Sequence, residues 1–226
     1  MTRLLIPLFS ILISFNSYGE VELDLSLDTF CEESPKVQVR NNRYYLPNTE
    51  KPYSGKTLCV YSSNGQYYSQ GKIKDGLWDG KTIYWFENGQ KWKEENWDNG
   101  VITGKWFIWH KNGQLESELN FKDNNENGKQ TSWYEDGQIR WDLNYKDGKA
   151  DGLFTWWHED GQISKQVTYK YGKKDGIWIL WHENGQIELE ITYQDGKKNG
   201  KWILWHENGQ IFEEKIYKDG KCISGC

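Results

Sequence analysis

The stretch Gly200-Lys-Trp-Ile-Leu-Trp-His-Glu-Asn208-Gly209-Gln210-Ile-Phe-Glu-Glu-Lys-Ile-Tyr217-Lys-Asp219-Gly220 decides the fold. Two runs rich in aromatic and branched side chains flank an Asn-Gly pair. Such runs read as strands, and Asn-Gly between them is the strongest short-range hairpin signal, because a type I′ turn needs positive φ at both central residues. The stretch is one copy among several. Gly65, Gly89, Gly113, Gly137, Gly161, Gly185 and Gly209 stand 24 residues apart, each inside an Asn-Gly-Gln or Asp-Gly-Gln triplet. Such a tandem array reduces the fold question to one unit. It also argues against an enzyme, since a catalytic site is one asymmetric constellation and this chain repeats one surface.

Working outward, three more columns keep the period. Gly80, Gly104, Gly128, Gly152, Gly176 and Gly200 form one. Gly76, Gly100, Gly148, Gly172, Gly196 and Gly220 form another, with Asn124 at the missing step. Asn tolerates the left-handed backbone region best among side-chain residues, so the exchange predicts positive φ there. The third is tryptophan: Trp85, Trp109, Trp133, Trp157, Trp181 and Trp205, with Tyr61 aligned in the degenerate first unit. Asp-Gly and Asn-Gly pairs between units turn the chain into the next hairpin. Pro52, at the start of the array, is its one proline, so no interior strand lacks a ladder donor.

The expected fold is all-β: tandem 24-residue hairpins in an elongated, twisted, single-layer antiparallel sheet or open solenoid. Each repeat advances such a sheet by roughly 10 Å. A two-residue turn puts Trp202, Leu204, His206, Ile211 and Tyr217 on one face and Ile203, Trp205 and Phe212 on the other. A four-residue loop re-pairs the strands, and a one-residue slip turns a strand over. Both faces carry apolar columns either way, so the sheet is expected to twist enough to bury part of each.

The ends divide the chain into a signal peptide (1–19), a capping segment (20–52), seven repeats (53–221) and a cysteine-bearing tail (222–226). Arg3, the apolar run Leu4 to Phe15 and the small-x-small site Ser17-Tyr18-Gly19 form the secretory pattern. An uncleaved anchor is the alternative, although the run is short for a membrane span. The mature chain then has no integral membrane segment and is periplasmic or extracellular. In residues 20–52, Val21, Leu23, Leu25 and Leu27 alternate with polar residues as in a half-buried strand. A repeat array needs such a cap over its open edge.

Cys31, Cys59, Cys222 and Cys226 lie outside the six regular repeats. Four cysteines in an exported chain allow three disulfide connectivities, with free thiols as the other reading. An open array separates its ends beyond disulfide reach, which favours Cys31–Cys59 with Cys222–Cys226. Without Arg3 the 28 basic residues become 27 against 33 acidic, a formal charge of −6. That acidity disfavours nucleic acid, which needs a basic stripe.

The unit pattern resembles the MORN-repeat variant of bacterial proteins grouped as YwqK-like antitoxins. The likeness is carried by Gly-Lys-Lys-Asn-Gly-Lys-Trp at 196–202, Trp205 to Gln210 and Tyr217 to Gly220, with equivalents in earlier units. It implies stacked hairpins serving as a scaffold or binding surface, and the antitoxin grouping implies neutralising a partner protein by contact. An exported chain does not readily guard against a cytoplasmic toxin. Other MORN arrays suggest a membrane-lipid or self-association role, to which an acidic chain gives little support.

Two readings of the aromatics follow. The tryptophan column is a structural ladder excluding water from the seam. The less regular Trp92, Trp141 and Phe212 are the candidate binding residues. A protein partner along the sheet is the leading reading. The alternative is a cell-envelope glycan on aromatic platforms, given a compositional likeness to bacterial cell-wall-binding hairpins. His110, His158, His182 and His206 share a column at ~10 Å steps, too far apart to ligate one zinc. Glu87, Glu135, Glu159, Glu183 and Glu207 precede the turns as solvated carboxylates. No nucleophile elbow, phosphate-cradling loop or metalloprotease helix motif appears, so neither cofactor nor metal is expected.

Overall fold

A computed structural model describes residues 37–226 and the backbone of two strands, Leu12–Phe15 and Val21–Asp24, which pair antiparallel. The alternating segment expected from Val21 to Leu27 is thus a strand over its first four residues; the proposed cleavage site lies outside the described residues. Among those described, the chain is all-β with no helix. It divides into two units, residues 1–103 and 104–226.

In the second unit the longer strands pair antiparallel in chain order, as a meander of hairpins requires. Gly152–Trp157 pairs with Ile163–Lys170, which pairs with Lys173–Trp181, which pairs with Ile187–Gln194. Lys197–Trp205, Ile211–Lys218 and Lys221–Ser224 continue the order. The first unit repeats the scheme over Gly55–Val60, Tyr67–Lys74, Gly80–Trp85 and Lys91–Asp98.

Two kinds of turn alternate, and their chemistry differs from the expectation. The type I′ turns lie between units, not at Asn-Gly-Gln. Asp75, Asn99, Asp123, Asp147, Tyr171, Asp195 and Asp219 all have positive φ, as does the residue after each, Asn124 included. These pairs close two-residue loops such as Gln194↔Lys197 and Lys146↔Lys149. At Asn-Gly-Gln only the glycine has positive φ. There Gly185 N–H donates to His182 O (3.0 Å) and His182 N–H to Gln186 O (2.8 Å). That is a three-residue loop ending in a glycine bulge. The asparagine instead accepts the Gln186 N–H on its Oδ1 at 3.0 Å, and all seven triplets make this bond. A side chain that bonds its own backbone two residues on is a second reason for Asn or Asp at such a turn, and it needs no positive φ.

A further bulge follows each loop. Leu180 pairs with Leu189 but Trp181 pairs with Ile187, so Glu188 is an extra residue on its strand. Its equivalents are Trp92 and Phe212. The bulge places Ile211 opposite Trp205 rather than on the Trp202 face. Tyr61 also moves: its N–H donates to Gln66 O, and Val60 occupies the strand position of the tryptophan column. An additional residue in the first loop explains the shift. Tyr61 therefore belongs with the histidines.

Alternation of side chains sorts the second unit into two faces. On one, Phe154, Val167, Trp178, Ile191, Trp202 and Lys215 pair in a cross-strand ladder, with Phe154, Val167 and Ile191 buried. On the other, Thr155 and Ile203 are buried and share the face of the tryptophan column. Each face buries a stripe, as expected of a twisted single sheet.

Tyr171 is the one bulky residue at the first position of these I′ turns, and it is 67% exposed. A β-carbon and large side chain in the left-handed region cost about 1–2 kcal/mol, less for Asn. Tyr171→Asn is therefore expected to raise the thermal midpoint by several degrees, ~1 kcal/mol. A lower midpoint would show that the ring contributes more than the strain costs.

Candidate functional site

The periodic positions are used largely to join one repeat to the next. Asn64, Asn112 and Asn184 each donate from Nδ2 to the backbone carbonyl of the glutamate in the following loop: Glu87 (2.9 Å), Glu135 (2.9 Å) and Glu207 (2.7 Å). Asp136 and Asp160 keep the bond to their own loop but have no proton to donate across. The first residue of the loop does a related task in four of the repeats. Tyr61 Oη donates to Trp85 O (2.9 Å) and Tyr134 Oη to Trp157 O (2.7 Å). His110 Nε2 bonds Trp133 O (3.0 Å) and His182 Nε2 bonds Trp205 O (3.2 Å). His158 holds Nε2 buried without such a bond. Tyr and His alternate in this column because both reach one carbonyl with a donor at the far end of a ring. The carbonyl fixes the histidine tautomer as Nε2–H.

The opposite row of turns is tied in the same sense. Gly148, Gly172, Gly196 and Gly220 donate their N–H groups to the carbonyls of Glu126, Ala150, Lys174 and Lys198, at 2.8–2.9 Å. In the first unit, Gly100 N–H reaches Trp78 O, and Gly76 N–H reaches Tyr53 O. There the hairpin Gln38–Arg40/Arg43–Tyr45 lies against the Asp75-Gly76 turn. Tyr44 N–H donates to Gly76 O (2.9 Å), and the Arg43 guanidinium donates to the Asp75 carbonyl.

The predicted binding residues fall into two places. Trp92 and Phe212 are bulge residues, each beside the ring that follows the tryptophan of its own repeat. Phe86 and Trp92 lie 6.1 Å apart, His206 and Phe212 4.9 Å. The same pairing joins Tyr61 to Tyr68 (5.3 Å), His110 Nδ1 to Glu116 (3.8 Å) and Arg140 to the Tyr134 ring (5.8 Å). The variation in this column is therefore matched to a neighbour. Trp92 also meets Tyr84 (6.1 Å) and is half-buried, whereas Phe212 is 62% exposed. Trp141 lies elsewhere, paired with Ser132 and Trp156 on the ladder face. The column Trp85, Trp109, Trp133, Trp157, Trp181 and Trp205 is half-buried throughout.

Sequence reasoning missed a set of lysines on the ladder face. Lys165 Nζ lies 3.6 Å from the centre of the Trp156 ring, and Lys174 Nζ 3.7 Å from that of Trp178. Lys198 sits 4.8 Å from the Tyr217 ring, and Lys215 5.0 Å from that of Trp202. Burial lowers the Lys165 ammonium below the usual lysine range. Lys174 is lowered by burial and then by repulsion from Lys165 and Lys198. In the same column two repeats back, burial raises the Glu126 carboxyl. A sequence signal existed, since Lys174 and Lys198 occupy the same place in successive units. Only the register shows that this place faces the aromatic ladder.

Cys222 and Cys226 form a disulfide with Cα atoms 6.1 Å apart. Cys59 is also disulfide-bonded, and Cys31 lies outside the described residues. Among the described residues no group of three or more His, Cys, Asp or Glu is placed to hold a metal ion, and no helix is long and apolar enough to cross a membrane.

Six copies of the MORN repeat variant match the chain, at residues 78–99, 102–123, 126–147, 150–171, 174–195 and 198–219. The chain belongs to this family. No curated protein matches it. Each MORN window opens just after one I′ turn and closes on the first residue of the next, so the family's unit is the hairpin around Asn-Gly-Gln. The degenerate first repeat, with its longer loop, lies outside the six windows.

If the Asn bridge couples MORN repeats, Asn184→Asp keeps the loop and removes only the cross-repeat donor. The expected loss is about 1 kcal/mol in chemical denaturation, and Asp160→Asn is expected to gain a similar or smaller amount. Changes of the same sign in both variants would contradict this assignment.

Proposed function

We propose that this chain is a non-catalytic, exported repeat scaffold that binds a partner protein along its sheet. The observation that carries the reading is the division of labour between columns. Positions that repeat are engaged in bonds between repeats: the loop Asn, the Tyr or His ring and the I′ glycine. Some positions that change are left facing outward. One such column runs Lys81, Lys105, Lys129, Leu153, Ile177 and Lys201, with Leu153 and Ile177 exposed in adjacent repeats. Specificity that resides in varying positions on a constant frame is how repeat proteins bind, and a rigid sheet loses little entropy on association.

Export rests on the charged and apolar pattern of residues 1–19 and on cysteines joined as disulfides. Neutralising a toxin by direct contact is one form of this activity and requires a partner that is itself toxic. The glycan alternative retains Trp141 and the exposed Phe212. It loses support on the ladder face, where an ammonium already sits against Trp156 and Trp178.

The test is affinity capture from envelope and secreted fractions on the immobilised, oxidised chain. One protein retained near one-to-one is expected, and its toxicity with and without this chain then judges the antitoxin form. Retention of wall fragments alone, abolished by Trp141→Ala with Phe212→Ala, would replace this reading with the glycan one.

A further inference from the structure

We infer that Lys174 and Lys198, flanked by Lys165, form a docking strip for an extended acidic segment of the partner protein, with carboxylates three residues apart. The inference rests on the scaffold reading and names the chemistry of its partner.

The three lysines are unusual for this chain. The sheet's other half-buried lysines, Lys93 and Lys215, pair with Glu95 and Glu213, and the exposed Lys129 pairs with Asp142. Lys165, Lys174 and Lys198 form no ion pair among the described residues, although acidic residues outnumber basic ones, 33 to 28. All three are half-buried. They share one face, because Lys165 and Val167 alternate on one strand, Val167 pairs with Trp178, and Lys174 and Lys198 pair with Tyr169 and Tyr193.

The rings beneath them hold the ammoniums in place without neutralising them. Trp178 and Tyr193 flank Lys174 at 3.7 and 5.0 Å, and Tyr217 lies 4.8 Å from Lys198. A ring face attracts a cation but leaves its full charge for an anion. Lys174 is repelled by both other lysines. Half-buried like charges without a counter-ion are unfavourable in the free protein, and an anion that bridges them relieves that repulsion.

Spacing selects the anion. Lys174 and Lys198 are equivalent residues in successive repeats, two strands apart, a step of roughly 9.6 Å. A polyproline II segment returns to the same face every third residue, about 9.3 Å along its axis. An extended segment crossing the strands with acidic residues at i and i+3 meets this step, while Lys165, four residues along its strand from the Tyr169 that pairs with Lys174, flanks that line. A β-strand ligand presents same-face side chains at ~6.7 Å and does not. A sugar ring would have to displace the ammoniums to stack on Trp156 or Trp178.

The probe is a fluorescein-labelled peptide of four Glu-Pro-Pro triplets, titrated into the oxidised protein by fluorescence anisotropy. Binding is expected to be salt-sensitive and to weaken at least ~10-fold in the double variant Lys174→Gln/Lys198→Gln. Lys174→Arg/Lys198→Arg is expected to retain it. Lys129→Gln, from a paired lysine, is the control expected to change nothing. A Gln-Pro-Pro peptide is expected not to bind. Unchanged melting of each variant shows that the fold is intact. The inference fails if the acidic peptide does not bind, or binds the Gln variant as well as the wild type. It fails equally if polygalacturonate or anionic vesicles bind through these lysines while the peptide does not. The captured partner separates the two levels. If it is retained by the wild type and the Gln variant alike, the strip is wrong and the scaffold stands. If the wild type retains no protein, the scaffold reading falls, and the peptide titration still judges the strip.

Discussion

The structure depends on one constraint: each 24-residue step must return a loop to the position where its polar groups meet those of the loop before it. A lone hairpin is marginal in water. Within each unit these hairpins are joined not only by strand pairing but by two rows of turns. One row uses loop asparagines and the Tyr or His that opens four of the loops. The other uses the N–H groups of I′ glycines. An inserted or deleted residue within a strand shifts both rows at once, whereas the extra residue of the first repeat is taken up in its loop, where Tyr61 and Asn64 still reach the carbonyls of Trp85 and Glu87.

The same constraint separates frame from surface. A residue whose side chain bonds the next repeat has little freedom to change. Asp136 and Asp160 show its limit: Asp keeps the local loop bond but not the cross-repeat one. Strand residues facing outward carry no such duty. They supply lysine at some units and Leu153 or Ile177 at others. The lysines on the aromatic ladder are the most distinctive result of that freedom. Of these, Lys165, Lys174 and Lys198 place positive charge without an ion-pair partner among the described residues on a protein that is acidic overall.

Much of the fold was legible in the sequence, because glycine spacing and Asn-Gly or Asp-Gly pairs report backbone conformation directly. The positive φ expected from Asn124 is present, at 64°. The turn assignment at Asn-Gly-Gln was not legible. Asn-Gly serves both an I′ turn and a three-residue loop with a glycine bulge, and only the hydrogen bonds of His182, Gly185 and Gln186 distinguish them. That loop, with the bulge at Glu188, decides which face each second strand begins on. Trp92 and Phe212 were legible as irregular aromatics but not as bulge residues beside a neighbouring ring. The cationic strip was hidden for a related reason. Lysines are common in this sequence, and only register shows that Lys174 and Lys198 lie over rings, as Lys215 does, but without the carboxylate that Glu213 gives Lys215.

The most direct test of repeat-to-repeat coupling is the thermal melting of a chain lacking one whole period. Deleting residues 152–175 joins Asp151 to Gly176 and keeps every column aligned. The account predicts a cooperatively folded protein with a modestly lowered midpoint, while a deletion one residue shorter, 153–175, loses cooperative melting. Equal loss of structure in both deletions would contradict the claim that this register between repeats holds the fold together.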